Sequence, residues 1–528
     1  MDKTNSTLEK PCHTCRRRRV KCDQAKPHCR KCVSNDLECL GYGKLILFVG
    51  GVASRGKMMG KTFSEKSSGV PVEAKPASRT QMQTKPTNSL DPMNCRSKSN
   101  LLSHIPLDPW LQGLDYHTRH YLAHFLVHVS NDLVVYNYPA QNQNPIGFLL
   151  GFAGAEQNSA LFNTVVSMSA HHLYNLSSRP ETPEAQKYQV DALRFKGRAL
   201  QLLSQDVSNV HPSKYTTLLA SSMLLCDLAL LESGDDTWRI HLGAATRLVR
   251  FITARMSDSM AVEETRMSGD EKSFCSWIMS RIILQDMFGS SLSTTPASWN
   301  LQELCGMDRA LRLAEVDHYS SCPSQISQLI ISASSSYDMQ SAAPSCCSDA
   351  LTAQCILLSI QFFDPTSWAL DLQSQTPAAD DFAERCHVGS AYKAAAALYV
   401  SQVISESHEY SCNHLPTPEQ RRELVTTVLH HAFHIPCDNP LFKSTIWPVF
   451  IAGAETTNPH DRTKVLLHWK ELSRVVPWQS TVTAEQALKE IWARVDAASL
   501  VAESELEMTT QWKWLAEFQT IGASIYPA

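Results

Sequence analysis

Six cysteines fall between residues 12 and 39 with the spacing C-x2-C-x6-C-x6-C-x2-C-x6-C, which is one unit, C-x2-C-x6-C, written twice. A segment this short cannot hold a hydrophobic core, so cross-links or metal must fold it. Each C-x2-C pair brings two sulfurs within reach of one ion, and soft thiolates suit Zn²⁺ in a tetrahedral site. Six ligands overfill one zinc, and two separate zincs need eight. Six serve two zincs only when two thiolates are shared. The repeat offers the first cysteine of each half, Cys12 and Cys29, as the bridge. Cys15 and Cys22 would then complete one ion, and Cys32 and Cys39 the other. Disulfides are the competing reading. The N-terminus, MDKTNSTLEKPC, has no apolar signal core, and the eleven remaining cysteines of seventeen are scattered beyond residue 90. A reducing compartment is expected, where clustered cysteines are more often ligands.

The stretch "CHTCRRRRVKC" sets four consecutive arginines inside this frame. From Lys10 to Lys31 nine residues are basic and only Asp23 is acidic. Residues 1–100 hold 20 Lys or Arg against 8 Asp or Glu, whereas residues 101–528 hold 28 against 44. A basic arm on an acidic body points to a polyanionic partner for the arm. Four adjacent guanidinium groups repel one another, and metal–thiolate bonding can hold them on one short helix regardless. Standing alone, "RRRRVK" would read as a nuclear-import signal. Import and base reading are compatible, and both place the chain in the nucleus.

These residues resemble the fungal zinc binuclear cluster, or Zn(2)-C6, DNA-binding domain, including the "RRRRVKCD" helix end and Pro27 in "DQAKPHC". The resemblance implies two Zn²⁺ ions bridged by Cys12 and Cys29, with Cys15, Cys22, Cys32 and Cys39 as the remaining ligands. It implies double-stranded DNA as partner, with the first helix in the major groove over a CGG-type triplet. The family's base-reading pair corresponds to Arg18 and Arg19, where relatives often carry lysine. Arginine suits bidentate contact with guanine O6 and N7. Arg16, Arg17, Lys21, Lys26 and Lys31 are the expected phosphate contacts, and these carry most of the affinity.

Residues 40–60 form a Gly-rich extension in which the apolar run Leu45 to Val49 could be a strand. "GVASRGKM" approaches the phosphate-loop pattern, but position 58 is Met, which cannot hold Mg²⁺, and no amphipathic helix follows. The "GYG…GVASRG" phrase resembles an extension in the acriflavine-sensitivity-control-like branch of the family. Residues 61–103, rich in Ser, Thr, Lys, Pro and Gln, are expected to be a disordered basic linker. No a/d heptad run is visible, so a zipper is not expected.

From residue 104 onward the sequence predicts an all-α body. "DYHTRHYLAHFLVHV" spaces Tyr121, Leu122, Phe125, Leu126 and Val129 helically, and "SALFNTVVSMSAHHLYNL" does so with Leu161, Val165, Met168, His172 and Leu176. Further blocks run near 184–204, 214–231, 237–255, 271–288, 345–360, 380–406, 418–434, 460–475 and 483–499, with Ser213, Asp236, Thr417 and Thr483 as caps. Tyr215 to Leu231, interrupted by Ser221, Ser222 and Asp227, reads as a core helix and not a membrane span. "SASSSYDMQSAAPSCCSDA" reads as a surface loop that includes Cys346 and Cys347. His171 and His172 lack any accompanying catalytic motif. A terminal helix is expected to dock Trp512, Leu515 and Phe518. The phrases "LDPWLQGLDYHTRHYLAHF", "LLASSMLLCDLALLESGDDTWRIHLGAATRLV" and "IWPVFIAGAETTNPHDR" resemble the fungal-specific transcription factor regulatory domain, which spans 104–528 on this reading. The expected fold is mostly α: a small six-cysteine, two-zinc module at 12–39, a basic linker and a large helical regulatory body. The expected function is a non-enzymatic, sequence-specific regulator of RNA polymerase II transcription, which fits control of a secondary-metabolite gene cluster. The resemblance adds a homodimer, the transcription machinery and a small-molecule effector as partners, and no membrane is expected. The alternative is a ligand-binding receptor or enzyme-like helical body for which the zinc module is only a nucleic-acid anchor.

Overall fold

The computed structural model describes residues 11–12, 14–15, 18, 20–25 and 29–35, and then 113–135, 149, 151, 158–177, 179–208, 211, 214–234, 237–257, 269–292, 298–299, 301–316, 321–338, 348–375, 381–407, 415–499, 513–521 and 526. The strand expected at 45–49, the near phosphate loop and the linker at 61–103 lie outside these residues, as do Ser213, Asp236, Cys346, Cys347 and Trp512. The chain divides into two compact units, 1–94 and 95–528. In the first unit a helical turn at 14–15 and the short helix α1 (Arg30–Val33) carry cysteines.

Every regular element described in the second unit is helical, in line with the all-α expectation. Helix α2 (Tyr116–His124) starts where the Asp115 carboxylate accepts the N–H groups of His117 and Thr118, as an N-cap should. It runs through a π turn (Phe125–Val129) into α3 (Ser130–Leu133). Tyr121, Leu122, Phe125 and Val129 are buried, as the 3.6-residue period requires. Ser159 caps α4 (Ala160–Asn175), which buries Leu161, Val165, Met168 and His172. Leu176, expected on the same stripe, is instead the exposed C-cap residue. Alongside lies α5 (Pro183–Ser208), tied by Ser167 Oγ donating to the Ala192 carbonyl at 2.8 Å and Tyr121 Oη donating to Asp191 Oδ2 at 2.7 Å.

Helix α6 (Tyr215–Glu232) is apolar on all faces, and a helix of that kind belongs in a core. It alone among the described helices is long and apolar enough to cross a membrane, yet 89% of its length is buried inside the body. The next two helices, α7 (Thr237–Ser257) and α8 (Gly269–Ser290), meet at Trp238. That indole is fully buried, and a Cβ on Gly289 would lie 2.1 Å from its Cη2 atom, so the close approach requires glycine.

Four helices of ten residues or more lie outside the periodic blocks read from the sequence: α9 (Leu301–Val316), α10 (Ser324–Asp338), α12 (Pro365–Gln375) and α15 (Ile446–Glu455). The serine-rich stretch expected to be a loop is helical over 332–338 within α10 and over 348–350 within α11 (Ser348–Phe362). Two of its hydroxyls are satisfied by the helix itself. Ser332 Oγ donates to the Gln328 carbonyl at 2.7 Å and Ser334 Oγ to Ile331 at 3.0 Å, so serine neither exposes nor breaks the turn.

The remaining elements are α13 (Phe382–Ser407), α14 (Pro418–Phe433), a 3-10 turn (Pro440–Thr445), α15 (Ile446–Glu455), α16 (Pro459–Val475), α17 (Gln479–Ser499) and α18 (Trp514–Ile521). Thr417 caps α14 with a reciprocal capping box through Gln420. Thr483 is not a cap. Its helix begins one turn earlier, directly after Pro477 and Trp478, and its hydroxyl donates back to the Gln479 carbonyl at 3.1 Å. Leu515 and Phe518 are buried on the terminal helix, together with Trp514. The aromatic centre of the body is Trp447, stacked on Tyr392 with ring centroids 5.8 Å apart and donating from Nε1 to Ser291 Oγ at 3.1 Å.

Candidate metal centre and nucleic-acid interface

The cysteine unit repeats in space as it does in sequence. Cys15 N–H donates to Cys12 Sγ at 3.3 Å, and Cys32 N–H donates to Cys29 Sγ at the same distance. Each first cysteine therefore acts on the turn that holds its partner, and Cys29 is the N-cap of α1. Such N–H···S bonds turn both sulfurs of a pair to one side. The two pairs face each other: Cys12 and Cys29 Sγ are 3.5 Å apart, Cys15 and Cys29 3.6 Å, and Cys32 lies 3.8 Å from both Cys12 and Cys15. All four are buried, with their sulfurs within 4.8 Å of one another.

Tetrahedral zinc with Zn–S near 2.3 Å sets sulfurs about 3.8 Å apart. The observed separations fit that edge. Cys22 is half-buried, receives the Cys12 N–H at 3.4 Å, and groups with Asp23 and Cys29 within 4.8 Å. Cys39 lies outside the described residues. The four close sulfurs are thus the two expected bridging cysteines plus one terminal ligand from each half.

Burial pushes the Cys12 thiol up to about 12, and likewise raises Cys15 and Cys29. Packed together without a cation, these groups hold protons. A dication reverses the preference and draws out thiolates, so metal uptake releases protons and tightens as pH rises.

Sequence reasoning left Asp23 without a role. Its carboxylate accepts the N–H groups of Arg30 (3.0 Å) and Lys31 (3.3 Å) at the start of α1. Desolvation pushes this carboxyl up, but the two N–H donors outweigh it and hold it below the usual carboxylate range. The contact ties the end of the first half to the helix of the second. The available signal was a lone acid within a run of nine bases.

Among the expected DNA contacts, Arg18, Lys21 and Lys31 are exposed. Arg18 N–H donates to the Thr14 carbonyl at 3.1 Å, which places it one turn beyond Cys15. Arg16, Arg17, Arg19 and Lys26 lie outside the described residues. In the second unit His171 and His172 are both buried. His172 Nδ1 meets His124 Nε2 at 2.9 Å, and its Nε2 lies 3.3 Å from Asp132 Oδ2.

Residues 10–45 match the sequence model of the fungal Zn(2)-Cys(6) binuclear cluster domain, and residues 120–522 match that of the fungal specific transcription factor domain. The acriflavine sensitivity control protein acr-2 of Neurospora crassa is 26% identical over 572 residues, covering 93% of each chain. Two further relatives match over short stretches, 6% of each chain. They are the aspercryptin biosynthesis cluster-specific transcription regulator atnN of Emericella nidulans, 59% identical over 34 residues, and the transcriptional regulatory protein moc3 of Schizosaccharomyces pombe, 58% identical over 31. No solved structure matches the chain.

Proposed function

The chain belongs to the fungal specific transcription factor family, and from that premise we propose that it is a nuclear, non-enzymatic regulator of RNA polymerase II transcription that reads CGG-type triplets. It is a DNA-binding transcription factor whose cysteine segment binds two zinc ions. On our reading the ligands are Cys12, Cys15, Cys22, Cys29, Cys32 and Cys39, with Cys12 and Cys29 shared. The observation that carries this assignment is the facing of the two C-x2-C turns, with Cys12 and Cys29 the closest of the four sulfurs at 3.5 Å. When bound, the metal pair supplies folding energy. The chain's own residues do the recognition. Arg18 and Arg19 address guanine O6 and N7, while Arg16, Arg17, Lys21, Lys26 and Lys31 neutralise phosphates.

The proposed layout is a DNA-binding module at 12–39, an extension at 40–60, a linker at 61–103 and a regulatory body at 104–528. Control of a biosynthetic gene cluster is the pathway reading, supported by the likeness of the cysteine segment to a cluster-specific regulator. Homodimerisation and contact with the transcription machinery belong to the same proposal. The test is genome-wide mapping of bound sites for the intact chain and for Cys29→Ala, alongside zinc analysis of both proteins. The intact chain is expected to carry two zincs and to bind CGG-containing sites, and Cys29→Ala to lose both metals and the pattern. About one zinc per intact chain, or an unchanged map for Cys29→Ala, would overturn the assignment.

A further inference from the structure

The second unit holds a partly open cavity of about 150 Å³. Its walls come from segments far apart in sequence, among them Val135 after α3, Leu230 of α6, Trp277 and Gln285 of α8, Tyr392 of α13 and Trp447 of α15. Several of these offer aromatic faces, and the Tyr392–Trp447 stack has an interplanar angle of 11°.

The polar groups between the rings are mostly spoken for. Asp227, fully buried, accepts from Arg281 at 2.8 and 3.2 Å and from Gln285 Nε2 at 2.7 Å. Arg281 also donates to the Leu133 carbonyl at 3.0 Å. Gln285 is 2% exposed, and its other atom, Oε1, is buried with no hydrogen-bond partner. Lys443 lines the same space and donates to the carbonyls of Asn131 and Val134, which uses two of its three ammonium hydrogens. Asp132, Val135 and Lys443 line a cleft of about 460 Å³ as well, so cavity and cleft share a wall.

A void of this size lined only by hydrocarbon stays dry and accepts benzene. Here the lining adds an acceptor that no protein donor meets, so its donor has to come from a bound water or from a guest. The geometry points to a binding site for a single-ring aromatic molecule carrying an O–H or N–H group, its ring among Trp447, Tyr392 and Trp277 and its hydrogen donated to Gln285 Oε1. Cavities that hydrogen-bond a guest reject analogues lacking the donor, because the protein's polar atom is then left unpaired. A guest held there would join α6, α8, α13 and α15 at one point. The inference stands on the second unit alone, so it survives or fails separately from the DNA reading.

Saturation-transfer NMR titrations of the full-length chain with phenol and with toluene test it. Phenol is expected to bind saturably at one site, at least about tenfold more tightly than toluene despite its lower hydrophobicity. Gln285→Leu should bring the two affinities within about twofold of each other. Because Gln285 also supports Asp227, Leu230→Phe provides a second variant that fills the cavity without touching that network, and it should abolish phenol binding. Circular dichroism verifies that each variant is folded. Absence of saturable phenol binding, equal affinity for toluene, or undiminished phenol binding in folded Leu230→Phe would each overturn the proposal.

Discussion

Asp227 shows what one buried charge demands of its surroundings. It is the one ionisable carboxylate buried on the core helix α6, and both its oxygens are occupied by donors from α8. Burial pushes its carboxyl up, against the pull of Arg281 and Gln285. Removing one member of such a group strands the other, so Asp227→Ala is expected to lower stability by about 3–5 kcal/mol in urea unfolding. The double change Asp227→Leu with Arg281→Met should recover most of that loss, because an apolar pair of similar volume leaves no charge behind. In the first unit the proposed base contact is tested at Arg19. Arg19→Ala is expected to remove about 1–3 kcal/mol of discrimination at one base. Anisotropy titrations on a CGG-containing duplex and a scrambled one distinguish this from a phosphate contact, whose loss would weaken both equally.

Elements differ in what holds them. Among the described residues the cysteine turns have sulfur at their centre and no apolar cluster beyond the cysteines. The body's helices bury a continuous core that includes Trp238, Trp447, Trp469 and Trp514. Chelation of zinc with EDTA is therefore expected to abolish DNA binding while leaving helical circular dichroism and the thermal transition of the body nearly unchanged. A large loss of helix signal would show that the body depends on the metal. The same contrast explains what the sequence discloses. Ligand spacing is local, so the pairing of Cys12 with Cys15 and of Cys29 with Cys32 could be read directly, and so could Thr417 as a cap. Asp23 closing onto Arg30 and Lys31 spans seven to eight residues and obeys no periodic rule. The serine-rich part of α10 hid because hydroxyls satisfied by their own helix look polar in composition. Thr483 misled because the helix start is set by the Pro477–Trp478 break and not by the strongest cap residue nearby. The cavity was invisible for another reason: its walls come from several elements whose convergence no local pattern encodes.

At the scale of the whole molecule, buried histidines make the body sensitive to acid. His124 is buried against His172 and His128, and burial first, then those neighbours, hold it down to about 2. Burial alone holds His468 down to about 4, where its Nε2 meets Thr445 Oγ1 at 2.8 Å. Both imidazoles are neutral when folded and free to protonate near 6.5 when unfolded. Their contribution is therefore complete above pH 6.5 and lost as pH falls toward the folded values. By pH 5 each withdraws roughly 2 kcal/mol. Asp286 works in the opposite sense. Burial raises it to about 6 although Ser298 donates to both its oxygens, so it takes up a proton more readily folded than unfolded and returns roughly 1 kcal/mol over the same range. From these three groups the expectation is a loss of about 3 kcal/mol between pH 8 and pH 5, to which the lowered His431 adds in the same sense, measured by urea unfolding of the full chain followed by tryptophan fluorescence. His468→Gln keeps a hydrogen-bonding side chain beside Thr445 and cannot take up that proton, so it should flatten the slope by roughly the share of one imidazole. A slope unchanged in that variant would place the acid sensitivity elsewhere than in His468.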